Sequence, residues 1–221
     1  MRDLVIIGTG GVARQAVQIV EDINCCEPTW RLLGLLDDAF HPEGTTVHGV
    51  PILGDTQWLV TRTDVAVCVA VGNPASRWRI VRRLASQSPR SYATLVHPSA
   101  TIGSRSTLGS GTLVYPGVIL DTDVTVGNHV ILNKTCTIGH DALICEFVTI
   151  SPGVNIGGAV DVQIGCDLGI NSATVQGVNI GEWSILGAGA VVINNIAANT
   201  TAVGVPAKAT TERRPGWQQE P

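Results

Sequence analysis

From Ile102 to Val192 every sixth residue is aliphatic, with Thr174 the single exception in sixteen positions. Four residues beyond each of these stands a second small or branched residue, from Ser106 and Thr112 through Cys136 and Cys166 to Ile196. A six-residue period fits neither the 3.6-residue helix nor the alternation of hairpin strands; it is the signature of a parallel β-helix. Each rung is then a short strand and a turn. If three rungs close one triangular coil, the ladder makes a little over five coils. Glycines one residue after many ladder positions (Gly103, Gly109, Gly127, Gly139, Gly157, Gly169, Gly181 and Gly187) are expected to give the corners their permissive backbone. Cys136 and Cys166 lie on the ladder and read as small core fillers rather than nucleophiles.

The residues ahead of the ladder follow another code. In LVIIGTGGVARQAV, an apolar run from Leu4 to Ile7 ends at Gly8, and Ala13, Ala16, Val17 and Val20 then recur at helical spacing through Glu21. Gly8, Gly10 and Ala13 fit G-x-G-x-x-G/A, which lets a backbone approach a phosphate at a helix start. A second run, Leu32 to Leu36, ends in Asp37 and Asp38. A third, Val65 to Val71, ends in Gly72-Asn73-Pro74 and precedes an Arg-rich helical stretch from Arg77 to Leu84. In an open parallel sheet the ligand crevice forms at the carboxyl ends of the strands, so Gly10, Gly11, Val12, Asp37, Asp38, Gly72 and Asn73 are expected to line one pocket. Taken alone, the glycines could equally be making a tight turn. Three or four strands fit before His97-Pro98, whereas a dinucleotide fold uses about six. The segment reads as half of such a site.

Composition narrows the classes further. A chain of 221 residues with 44% hydrophobic content can bury a core and divide into two domains. The formal charge of -4, with no long Lys/Arg run, argues against a nucleic-acid surface. No segment approaches the roughly 20 apolar residues of a membrane span, and the amino terminus lacks the regions of a signal peptide. The six cysteines form no C-x-x-C, which reads as reduced thiols in a cytoplasm.

The ladder, NKTCTIGHDALI, GINSATV, SILGAGAVV and the closing GVPAK together resemble the left-handed β-helix acetyltransferases built from hexapeptide repeats. With GTGGVARQ, LLDD and AVGNP ahead of the ladder, the chain to about Lys208 resembles one subfamily. Its members are the bacterial sialic-acid O-acetyltransferases and the N-acetyltransferases of nucleotide-linked amino sugars. The resemblance implies an α/β amino-terminal Rossmann-like half-domain over residues 1–98, which binds the nucleotide sugar. It implies an all-β left-handed parallel β-helix over 99–208, which binds acetyl-CoA between neighbouring chains of a homotrimer, and leaves a tail over 209–221. On this reading the glycine turn holds a nucleotide sugar's phosphates rather than NAD.

Acetyl transfer needs a base for the attacking group's proton, and a histidine titrating near neutrality suits that task. His41 and His48 lie in a Gly/Pro/Thr-rich loop, His97 precedes a proline, and His129 occupies a turn with no acid beside it. His140 matches the family's catalytic histidine, and Asp141 its acidic neighbour. Residues adjacent along a strand point to opposite faces, so this pair can meet only at a corner. Asn133 matches a family position near the reacting group; it could equally be a corner residue in a left-handed backbone. The resemblance assigns Thr149, Ile170 and Ala188 to acetyl-CoA. Thr149 stands where relatives often carry histidine, as does Val12 in the glycine turn. Lys208 could meet a CoA phosphate or simply be solvated. With only His129 and His140 in the ladder, a three-histidine metal site is not expected, nor is any metal. A dehydrogenase would need a second catalytic domain, and a purely structural β-helix would need neither the pocket nor the His-Asp pair. The residues favour acetylation of a sugar nitrogen over a sugar oxygen only through the resemblance, and they name neither the nucleotide nor the sugar.

Overall fold

The structure, a computed structural model, describes residues 1–39 and 41–220. Its amino-terminal part is built on β1 (Arg2–Ile7), α1 (Gly11–Cys26), β2 (Trp30–Leu36), β3 (Thr46–Val47), β4 (Val50–Gly54), β5 (Ala66–Val69) and α2 (Pro74–Gln87). The sheet order is β3-β4-β2-β1-β5, with β1 paired in parallel to both β2 and β5 and β3-β4 an antiparallel hairpin. Successive side chains of β1 face opposite ways: Leu4 and Ile6 pack with Ala13, Ala16 and Val17 of α1, while Val5 and Ile7 pack with Val81 and Leu84 of α2. Both faces are covered, which is why the strands read as unbroken apolar runs. The helix α1 runs five residues past its expected end at Glu21. Helix α2 begins at Pro74, ahead of the expected Arg77, because Asn73 caps it: Ser76 N–H donates to Asn73 Oδ1 at 2.9 Å, with Pro74 in the first turn.

The ladder closes into a left-handed β-helix with three parallel faces. One face stacks the strands ending at Ile102, Leu120, Ile138, Ile156, Thr174 and Val192. A second carries Leu108, Val126, Ile144, Val162 and Ile180. The third carries Val114, Leu132, Ile150, Leu168 and Leu186. Each residue pairs with the one eighteen positions on, and ladder side chains such as Leu132, Ile144, Ile150 and Leu168 are fully enclosed. Thr174, the polar exception, accepts the Gly157 N–H on its hydroxyl at 3.0 Å.

The corner glycines serve a purpose other than the expected one. Left-handed backbone falls three residues after each ladder position from Ile102 to Leu186, at Arg105 and Gly111 through to Trp183 and Gly189, and none of the glycines one residue after the ladder adopts it. Those glycines are required for space, since a Cβ on Gly103 would sit 2.3 Å from the Asp121 carbonyl oxygen of the next coil.

The domain limits shift as well. Leu95–Val96 already pairs with Leu113–Val114, so the third face begins ahead of the expected boundary at residue 98. At the other end, Thr200–Val203 extends the same face and pairs antiparallel with Lys208–Glu212, so the expected limit at residue 208 cuts a hairpin. The tail then folds back: Arg79 of α2 donates to the Gln218 carbonyl at 3.0 Å, and Trp183 stands edge-on between Trp78 of α2 and Trp217. Pro221 lies outside the described residues. No helix among them is long and apolar enough to cross a membrane.

Candidate active site

His140 and Asp141 are the two central residues of a corner between the first and second faces. Asp141 takes the left-handed conformation there, with φ of 59°. That turn swings its carboxylate back onto its neighbour, and His140 Nδ1 lies 2.8 Å from Asp141 Oδ2. The corner therefore brings together two side chains that a strand would separate. The hydrogen bond to Asp141 raises the His140 pKa above the ordinary imidazole value, with the charges of Asp141 and Asp121 adding to it. With Nδ1–H donated to the carboxylate, Nε2 carries the free lone pair, and the side chain is half exposed.

The other histidines are accounted for elsewhere. His129 is buried between Tyr92 and Phe147, and burial together with the Arg77 charge pushes its pKa down to about 4. His97 sits 3.1 Å from Asp22 of α1 and accepts the Ser99 N–H. Asn133 is not in a left-handed conformation; Thr135 is, and Asn133 Oδ1 accepts the Lys134 N–H at 2.9 Å. In one chain Asn133 belongs to the corner before the Thr137–Ile138 strand and His140 to the corner after it.

The glycine turn lines a cavity of about 270 Å³ with Gly10, Gly11, Val12, Asp37 and Gly72 in its wall. Helix α1 starts there with Gly10 as its N-cap and no side-chain cap, which leaves first-turn N–H groups directed at the cavity. The glycine that the backbone demands is Gly8, at φ of 115°, where a Cβ would also crowd the Ala70 carbonyl at 3.0 Å. Asp37 is held by Thr9 Oγ1 at 2.5 Å and by the Ala39 N–H at 2.9 Å.

Two expected members do not join this cavity. Asp38 Oδ1 accepts both the N–H and the hydroxyl of Thr56, and its other oxygen pairs with Arg83. Burial opposes the ionised form, but these bonds prevail and hold its pKa below the usual carboxylate value. Asn73 is occupied as the cap of α2. Asp37 also borders a wider recess of about 620 Å³ that includes Asp38, His41, Glu43 and Asp55. Across the start of α1, Gly11, Arg14 and His48 share a recess of about 390 Å³. Arg14 and His48 were not anticipated from the sequence; Arg14 sits in the first turn of the helix that the glycine motif announces.

Arg77 is the main residue that sequence reasoning missed. It is fully buried, and its guanidinium spans both domains. It donates to the carbonyls of Val71 at 2.6 Å and Gly72 at 2.9 Å, and across the junction to His129 O at 2.9 Å and Phe147 O at 2.8 Å. Longer contacts reach Val148 O, and Thr149 Oγ1 accepts at 2.9 Å. Burial lowers its pKa to about 9.

Thr149 is part of this joint at 8% exposure, and its hydroxyl donates to Gly72 O at 2.7 Å. Ile170 and Ala188 are exposed, stacked on one corner, with Gly189 N–H donating to Ile170 O. That corner joins the third face to the first, a different edge of the prism from that of His140. Lys208 is exposed at the start of the closing strand. Among the described residues no three His, Cys, Asp or Glu side chains lie together as a metal ligand set.

Comparisons with known proteins agree with both halves. Residues 3–84 match the family described as PglD N-terminal domain. GDP-perosamine N-acetyltransferase of Escherichia coli O157:H7 is 26% identical over 176 residues, 78% of each chain. UDP-N-acetylbacillosamine N-acetyltransferase of Bacillus subtilis (strain 168) is 35% identical over 116 residues, 52% of this chain and 51% of that one. Other curated relatives, serine acetyltransferases among them, are likewise spanned over less than two thirds of their length. A crystal structure of a histidine-to-asparagine variant of perosamine N-acetyltransferase from Caulobacter crescentus, in complex with CoA and GDP-perosamine, superposes with a TM-score of 0.85. The identity is 28%, over 96% of this chain and 98% of that one.

Proposed function

We propose that this hexapeptide-repeat acetyltransferase moves the acetyl group of acetyl-CoA onto the amine of a nucleotide-linked amino sugar, with His140 as general base. The observation that carries the reading is the exposed imidazole whose Nδ1 is bound to Asp141 at 2.8 Å, on a chain that also carries a glycine-lined cavity at a helix start. In the reaction the amine lone pair attacks the thioester carbonyl carbon and the carbon–sulfur bond breaks. His140 Nε2 takes the amine proton and returns one to the departing sulfur. Asp141 fixes the tautomer and stabilises the imidazolium. Gly10, Gly11 and Val12 would receive the acceptor's phosphates on backbone N–H groups, and Asp37 and Gly72 would bound the same ligand.

Acetyl-CoA would run along the edge that exposes Ile170 and Ala188. One chain presents this edge and His140 on different corners, which supports a site shared between chains. A cyclic homotrimer satisfies every such edge. The six free cysteines support a reducing, cytoplasmic setting.

The test is acetyl-CoA-dependent thiol release with a panel of nucleotide-linked amino sugars. An amide product is expected, with kcat lowered about a hundredfold to ten-thousandfold in His140→Ala while both KM values stay near those of the parent. An ester product would move the reaction to a sugar oxygen. Near-normal turnover in His140→Ala would end the assignment of the base.

A further inference from the structure

The corner stacked directly on His140 and Asp141 is formed by Gly158 and Ala159, with Ala159 N–H donating to the His140 carbonyl at 2.7 Å. The backbone does not require glycine at residue 158, because the left-handed conformation of this corner is carried by Ala159, at φ of 51°. The same corner position in the other coils is held by Ser104, Thr122 and Gln176, so side chains are compatible with it.

What distinguishes residue 158 is its neighbour. A Cβ there would lie 2.7 Å from His140 Nε2 and 2.8 Å from Cε1, closer than real Cβ contacts come, and a tight 3.1 Å from Cδ2. Gly157 is a glycine for another reason: its Cβ would strike backbone atoms at Val175 and Gln176. The three atoms nearest residue 158 all belong to the far end of one side chain.

The geometry points to Gly158 as a positioning residue for His140: by presenting no side chain, it leaves the space in which the imidazole lies with Nδ1 on Asp141. The inference rests on His140 being the base. A methyl group at residue 158 displaces the movable partner, which is the imidazole, and not the coil. Rotating the ring away takes Nδ1 off Asp141 and moves Nε2 from the acceptor. Asp141 and Asp121 are the charged groups that face the ring, and both act to hold its proton. A displaced ring therefore titrates lower, and the acidic limb of the rate profile follows it down.

The experiment compares Gly158→Ala with the parent enzyme, His140→Ala and the double variant. Gly158→Ala should remain folded with both KM values near normal, lose about a hundredfold in kcat as a base misplaced by an ångström does, and shift the acidic limb to lower pH. NMR titration of carbon-13-labelled histidine, with His140 assigned from its absence in His140→Ala, should show the same downward shift without any turnover. In the double variant Gly158→Ala should add no further loss. Parental kcat and an unmoved His140 titration in Gly158→Ala would overturn the inference. If His140→Ala itself turned over normally, the base assignment would fall, and the NMR titration would still decide whether Gly158 sets the ring.

Discussion

Replacing Arg77 by methionine removes the guanidinium and keeps most of the apolar stem. The carbonyls it serves are not equally dependent on it. Val148 O also accepts the Ile131 N–H, and Gly72 O also accepts the Thr149 hydroxyl. Val71 O, His129 O and Phe147 O lose the bonds that Arg77 gives them, at 2.6, 2.9 and 2.8 Å. A buried carbonyl left unpaired costs about 1–3 kcal/mol, so the two that are buried, His129 O and Phe147 O, cost roughly 2–6 kcal/mol together, while Val71 O, part-buried at the cavity wall, can turn to water. Relief from burying a cation offsets part of this, because no carboxylate pairs with the guanidinium directly and desolvation dominates its lowered pKa.

A net loss of about 2 kcal/mol is expected, a sizeable share of the 5–15 kcal/mol typical of a domain. Urea unfolding of the parent and Arg77→Met measures it, provided both transitions are two-state. Because Val71 and Gly72 are wall residues of the glycine-turn cavity, the folded fraction should also show a raised KM for the acceptor, with the KM for acetyl-CoA nearly unchanged. Stability within 1 kcal/mol of the parent, the lower end for a single unpaired carbonyl, would refute the account of Arg77 as the joint between the domains.

Three further perturbations test other parts. Ile150→Asp places a carboxylate between Leu132 and Leu168 with no partner, so it should yield insoluble or unfolded protein; soluble, cooperatively melting material would contradict the stacked core. Asp37→Ala should raise the acceptor KM about tenfold to a hundredfold, the range for one hydrogen bond to a charged group, and equal rises in both KM values would place the acceptor elsewhere. His129 binds a proton in the unfolded chain near pH 6.5 but in the fold only near 4. Its contribution is therefore complete above pH 6.5 and is lost as pH falls toward 4, by up to about 3 kcal/mol. His129→Phe should flatten that part of the stability profile, and an unchanged slope in pH-dependent melting would assign it to other groups.

The β-helix was legible because its code is local: a ladder residue every sixth position fixes face, coil and register without reference to the rest of the chain. Counting three residues on from each ladder position also finds Asp141 at the left-handed corner, which resolves the objection that neighbours diverge along a strand. The corner glycines were misread because their reason lies eighteen residues away, in the backbone of the next coil. Asp38 and Asn73 sit at the strand ends where a ligand crevice is expected, yet Thr56, Arg83 and the amide of Ser76 occupy them. Which acid faces a pocket depends on partners that spacing does not reveal. Arg77 carries no signature at all, since most of its acceptors are backbone carbonyls, and those at His129, Phe147 and Val148 are far away in sequence.

The same contacts bear on why an α/β half-domain is fused to a β-helix at all. Three devices join them: the Arg77 guanidinium, the Trp78–Trp183–Trp217 edge-to-face series, and the tail segment, which carries Trp217 and is held by Arg79. All three act through side chains of α2, the helix that starts at the wall of the glycine-turn cavity, and Arg77 also reaches back to Val71 and Gly72. A flexible linker would let the bound acceptor sample positions over many ångströms. Transfer between two bound substrates depends on holding the attacking atom within about 3–3.5 Å of its target, and an error near 1 Å can cost a hundredfold in rate. Fastening α2 to a stack whose registry repeats every eighteen residues places the cavity at a constant offset from the β-helix edges. In this arrangement the rigid repeat supplies the ruler, and the buried arginine ties the glycine-turn cavity to it.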